Sequence, residues 1–164
     1  MSYPEKFDTS NLYEEQQSIL ADFHQRRKLF DNYLDENRIA LYTCPGCGYP
    51  TLIERGGYEI CSVCNWEDDN QDDKEADEIW GGPNSNLSLT ENRLNIGKQL
   101  KEIASNVGGQ LNTNIPQVLS ILSQHDKNIR DLLASVPGDA DINHPIFKQY
   151  EQEGQDLLRQ LVRT

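Results

Sequence analysis

Every thiol in the chain is committed to one of two pairs, Cys44-Pro45-Gly46-Cys47 and Cys61-Ser62-Val63-Cys64, with thirteen residues between them. Two CxxC pairs at this separation need one backbone reversal to bring four thiolates together, which is the demand of a closed tetrahedral zinc site. The flanking residues agree. Gly48 follows the first pair and Asn65 the second, the residue types that most readily take positive φ. That conformation tightens each loop and aims backbone N–H groups at the sulfurs, while Pro45 stiffens the first turn by fixing φ. Cys44, Cys47, Cys61 and Cys64 are therefore expected to ligate one structural Zn2+. Four thiolates leave no position for water, so such a site is not catalytic. Iron would also suit four thiolates, and the sequence does not choose between the metals. A thioredoxin-type redox pair needs one CxxC opening a helix after a strand, and two disulfides need an oxidising compartment that nothing in the chain indicates.

Between the pairs, Thr51 to Glu54 and Tyr58 to Ile60 read as two short strands turning on Arg55-Gly56-Gly57, a hairpin signal. A hairpin with one pair before it and the other after it is a zinc ribbon. Helical periodicity flanks it on both sides. Asn11 to Asn37 carries apolar positions at Leu12, Ile19, Leu20, Phe23, Leu29, Phe30, Tyr33 and Leu34. Arg26-Arg27-Lys28 lies on that helix and reads as a solvated basic face. Ser88-Leu89-Thr90-Glu91 is a capping box opening a helix to about Asn106. Further helices are expected over about Ile115 to Val136 and about Pro145 to Arg163, their stripes packing as a small bundle. The expected fold is α+β and mainly helical, a small zinc-ribbon hairpin module between an N-terminal helix and a C-terminal helical bundle. Its expected divisions are 1–39, 40–88 and 89–164.

A net charge of −12 and a pI near 4.6 argue against direct nucleic-acid binding, which is driven by Lys and Arg. A basic protein is the expected partner. From Glu67 to Glu78 eight acidic residues face a single lysine, and this segment reads either as a solvated loop or as a docking surface that steers a cationic partner. In the second case Glu67, Asp68, Asp69, Asp72 and Asp73 supply charge and Trp66, Tyr58 and Trp80 supply aromatic anchors. Trp66 can equally cover the apolar side of the ribbon. An EF-hand register is spoiled by Asp72 at its glycine position. His24, His125 and His144 share no ligand spacing and are expected at the surface or partly packed. No signal peptide, membrane-length apolar run, nucleophile motif or phosphate loop is evident, so a cytoplasmic protein without enzymatic activity is expected.

The pieces CPGCGYPTL, ERGGYEIC, VCNWEDD, Asp77-Glu78, GGPN and LSLTENR, running from Cys44 to about Ile96, resemble the bacterial cysteine-rich CPCC family. This chain has Gly46 where the family's first motif has a third cysteine, and Asn92 where the family usually has Ala. The resemblance implies a zinc ribbon with the four cysteines as ligands. Related sequences look like immunity proteins encoded beside polymorphic toxins, so the expected function is an immunity protein that neutralises a cognate toxin, such as a nuclease, through an acidic surface. The alternative expectation is a zinc-ribbon regulatory module contacting nucleic acid or the transcription or translation machinery.

Overall fold

The computed structural model describes residues 5–164, in which the chain is mainly helical with small two-stranded sheets. Strand β1 (Glu5–Lys6) is followed by helix α1 (Glu14–Glu36), the cysteine-bearing loops, β2 (Glu78–Ile79), α2 (Leu89–Asn106), β3 (Gln110–Leu111), α3 (Ile115–Ala134), α4 (Pro145–Gln160) and β4 (Val162–Arg163). One compact unit ends at Gln99, and the other is Leu100–Thr164.

In the first unit, α1 begins where the Gln16 side chain accepts from the Tyr13 N–H at 2.8 Å. It ends on Arg38 with φ +53°, where the Ile39 N–H reaches back to the Leu34 carbonyl, a helix-closing motif. The helix buries Ile19, Phe23, Phe30 and Leu34, whereas Leu29 is exposed. Against this stripe sits the first cysteine loop: the Phe30 and Tyr49 rings meet at a tilt of 48° with centroids 5.5 Å apart, and Arg26 donates to the Cys47 carbonyl at 2.9 Å. Gly48 is required there twice over, by its φ of +83° and because a side chain would press on the α1 backbone at Arg27 and Phe23. The start of α2 closes the same core. Ser88 caps it, its Oγ accepting from the Glu91 N–H, and Arg93 lies 4.2 Å over the Phe23 ring.

The expected 51–54/58–60 hairpin does not form. Leu52 pairs instead with Tyr42 across the first cysteine loop, and Ile60 pairs with Glu67 across the second. Each CxxC is thus the tip of its own narrow hairpin. The Gly56-Gly57 stretch is a connector, held where the Gly56 N–H donates to Asp68 Oδ2 at 2.6 Å. The hydrogen-bonding edges that a single hairpin would have used are already spent on Tyr42 and on Glu67 to Asp68. At the N-terminal end, β1 pairs antiparallel with β2, Glu5 facing Ile79.

In the second unit α3 and α4 pack on each other. Asn114 Oδ1 caps α3 and His144 Nδ1 caps α4, each followed by a proline in the first turn. The α3 stripe is Ile115, Val118, Leu122 and His125, the last 6% exposed, so this histidine is a buried core position. Burial lowers its pKa. Helix α4 stops at Gln160, short of the expected Arg163, because Val162 and Arg163 pair antiparallel with β3. Local helical pattern yields there to a tertiary strand contact.

Two glycines make opposite predictions. On α2, a Cβ at Gly97 would collide with Cγ2 of buried Ile19, whereas Gly154 on α4 has open space around it. Gly97→Ala should destabilise by about 1–3 kcal/mol, and Gly154→Ala should stabilise by about 0.5–1 kcal/mol, both read by urea unfolding.

Candidate metal centre

The two cysteine loops have the same hydrogen-bond scheme. In the first, the Cys44 N–H donates to Tyr49 O at 2.8 Å and the Gly48 N–H to Cys44 O at 2.8 Å; in the second, the Cys61 N–H donates to Trp66 O and the Asn65 N–H to Cys61 O, both at 2.9 Å. Gly48 and Asn65 both have positive φ, +83° and +66°, as their residue types foretell. The scheme is written in a six-residue repeat, Cys-x-x-Cys followed by Gly or Asn and then an aromatic, at 44–49 and 61–66. The aromatics Tyr49 and Trp66 occupy matching positions, and both are buried, 0% and 1% exposed. Burial pushes the Tyr49 phenol up to about 12, so it stays neutral.

The four Sγ atoms lie within 4.8 Å of one another. Cys44 and Cys64 sulfurs are 3.7 Å apart, and those of Cys47 and Cys61 are 3.6 Å apart. A tetrahedron with metal–sulfur bonds of about 2.3 Å has edges of about 3.8 Å, so the donor set fits a single tetrahedral ion. None of the four is in a disulfide, and Cys44, Cys47 and Cys61 are fully buried. Two donors already point at sulfur: the Gly46 N–H at Cys44 Sγ, 3.3 Å, and Thr51 Oγ1 at Cys61 Sγ, 3.0 Å. Without a cation, burial drives the Cys44 and Cys47 pKa values well up. Burial acts on Cys61 too, but hydrogen bonds from the other three thiols and Thr51 outweigh it and hold its pKa below the usual thiol range. Buried this way, the four sulfurs suit a cation, which would let all of them ionise.

The acidic segment is tied into this centre by three arginines that the sequence reading did not single out as ligands of carboxylates. Arg27 on α1 grips Asp72 with both terminal nitrogens, at 2.6 and 3.0 Å, and its Nε donates to Thr43. Arg55 bridges Asp68 and Asp72 at 3.0 and 2.7 Å. Arg93 on α2, 3% exposed, joins Asp73 at 2.8 Å to the Pro45 carbonyl at 2.8 Å. Asn92 adds a bond to the Gly46 carbonyl. Arg26 and Arg27 are thus structural anchors and not the solvated basic face that three adjacent cations suggest.

The residues read as partner-facing separate into groups. Trp66 and Asp68, at 1% and 0% exposure, do not face a partner: for Trp66 the reading as cover for the ribbon's apolar side holds, and for Asp68 the partner-facing reading is corrected. Trp66 belongs to the core, and Asp68 accepts from Arg55, Gly56 and Asn70. Asp72 is consumed by Arg27 and Arg55 and caps the 3-10 turn Asp73–Glu75. Asp73 is exposed yet paired with Arg93 and Arg27. Glu67 and Asp69 are half-buried, and the Asn84 carboxamide holds the Glu67 backbone at both N–H and carbonyl. Burial raises the Asp69 pKa. Trp80 remains 40% exposed.

Burial opposes the Asp72 charge, but the two arginines win and hold its carboxyl well below the usual carboxylate range. A depressed folded-state pKa contributes stability that is fully present above the unfolded value of about 3.9 and is lost as pH falls towards the folded value. Asp72→Asn should therefore be less stable than wild type near neutrality, with the gap closing below about pH 4. Urea unfolding of both proteins across that range measures it.

Residues 42–103 match the model of the family described as Cysteine-rich CPCC. No curated protein and no solved structure matches the chain. The matched segment contains all four cysteines, both loops, the arginine-bound acidic segment and the opening of α2 that closes over the first loop. The likeness to the cysteine-rich CPCC family thus covers residues 42–103, and with them the metal centre.

Proposed function

We propose that the protein is a non-enzymatic, zinc-stabilised binding protein that acts as an immunity protein, neutralising a cognate bacterial toxin with a basic surface. The observation that carries the reading is the closed character of the centre. Four thiolates satisfy a tetrahedral ion completely, and three of them are fully buried, so the site suits holding a fold in shape and not activating a substrate. Zinc is the ion of choice because an all-thiolate tetrahedral set is its usual structural site.

Charge supports a basic partner. Up to Gln99 the chain carries 19 Asp and Glu against 9 Lys and Arg, a balance of −10, whereas the rest carries 8 against 6, a balance of −2. Three of the arginines in the first unit are themselves bound to Asp, so they offer little to a nucleic-acid phosphate. Among the described residues no helix is long and apolar enough to cross a membrane.

Two experiments test the reading. Elemental analysis should give one zinc per chain, and removing it with a chelator should unfold the ribbon, since structural zinc contributes about 10–16 kcal/mol of binding free energy in small domains; Cys61→Ser should bind zinc weakly and show the same loss. Affinity capture from the native host should then recover a basic polypeptide whose toxicity is suppressed by co-expression of this chain. Recovery of polymerase, ribosomal proteins or nucleic acid would replace the immunity reading with a regulatory one.

A further inference from the structure

Apolar side chains on the ribbon stand out of the core at four places: Tyr42, Ile53, Tyr58 and Ile60 are 51%, 73%, 59% and 61% exposed. They stand on backbone segments that are bonded to one another. Tyr42 pairs with Leu52, the residue before Ile53, and the Ile53 N–H donates at 2.9 Å to Oε1 of Glu59, the residue between Tyr58 and Ile60. Burial of these side chains is not needed for the ribbon, whose interior is filled by Tyr49, Leu52, Val63 and Trp66. Large apolar side chains left in water on one small module point to an interaction surface.

The charge around it names the occupant. Between Ile39 and Asp73 the chain has seven acidic residues and one cation, Arg55. That cation is turned away from the patch, bound to Asp68, Asp72 and the Gln71 carbonyl. Glu54 and Glu59 lie beside the patch, and Glu67 is the residue facing Ile60. A second copy of this chain would bring the same acids against themselves, which is costly.

We infer that Tyr42, Ile53, Tyr58 and Ile60 form the docking surface for a cationic, apolar-bearing segment of a protein partner, the apolar residues supplying affinity and Glu54 and Glu59 supplying selection by charge. This rests on the binding-protein reading above, and it moves the contact from the Asp68 to Asp73 stretch, which is spent on internal arginines, to the face of the ribbon. The tyrosines and isoleucines are the anchors, and the rim of glutamates speeds the encounter.

The probe is a short fluorescein-labelled peptide of lysine alternating with valine, followed by anisotropy with the zinc-loaded full chain. Lysine–serine and glutamate–valine peptides are the controls. Wild type should bind the lysine–valine peptide at least about tenfold more tightly than either control. Ile53→Ser and Tyr58→Asn should each weaken it by a similar factor, at unchanged zinc content. Asparagine tolerates the left-handed backbone of Tyr58, φ +59°, so that variant removes the ring and keeps the turn. Equal binding of lysine–valine and lysine–serine peptides, no binding at all, or variants that bind like wild type would each overturn the inference. So would a concentration-dependent dimer in sedimentation that Ile53→Ser abolishes, since the surface would then belong to a second copy. Peptide binding in the absence of any captured toxin would sink the immunity reading and leave this surface standing.

Discussion

Four sulfurs within 4.8 Å, most of them buried, are the constraint on which the first unit depends. Thiolates at that spacing repel one another and have lost their water, while four neutral thiols would leave the two loops with little to hold their tips together. A cation held between them would resolve both problems at once, and would then belong to the core in the same sense as Trp66 or Phe30. The residues around it are arranged accordingly: Gly46 and Thr51 donate to sulfur, and Arg26, Asn92 and Arg93 fasten the first loop's carbonyls to helices.

The sequence was informative where chemistry is local. Cysteine spacing foretells the ligand cluster, Gly48 and Asn65 foretell the positive φ that tightens each loop, and Ser88 with Glu91 foretells the start of α2. It was misleading where partners are distant. Gly56-Gly57 looks like a hairpin turn, but Leu52 and Ile60 have other partners that lie across the cysteine loops. A run of acids looks solvated or partner-facing until Arg27, Arg55 and Arg93 arrive from 45, 17 and 20 residues away in the chain. The six-residue repeat around the cysteines was present in the letters and would have predicted two hairpins instead of one.

The arginine-bound segment also explains how a chain this acidic folds its most acidic stretch. Asp68, Asp72 and Asp73 are stabilised by named cations, and Asp69, Asp72 and Glu75 spend their oxygens on nearby backbone N–H groups. The carboxylates act as turn formers and as the counter-charges that attach the segment to α1 and α2. Net charge and surface charge are therefore different quantities here. The acids left to influence a visitor are the ones with no arginine of their own.

The duplication of the cysteine loops changes how an ion is captured. Each loop places its two sulfurs only three residues apart on a backbone already closed by its own hydrogen bonds, so an incoming ion meets two bidentate claws instead of four independent ligands. Most of the ordering entropy is settled inside each claw. What remains is a single loop closure across the thirteen residues between Cys47 and Cys61, and its entropic cost grows only with the logarithm of loop length.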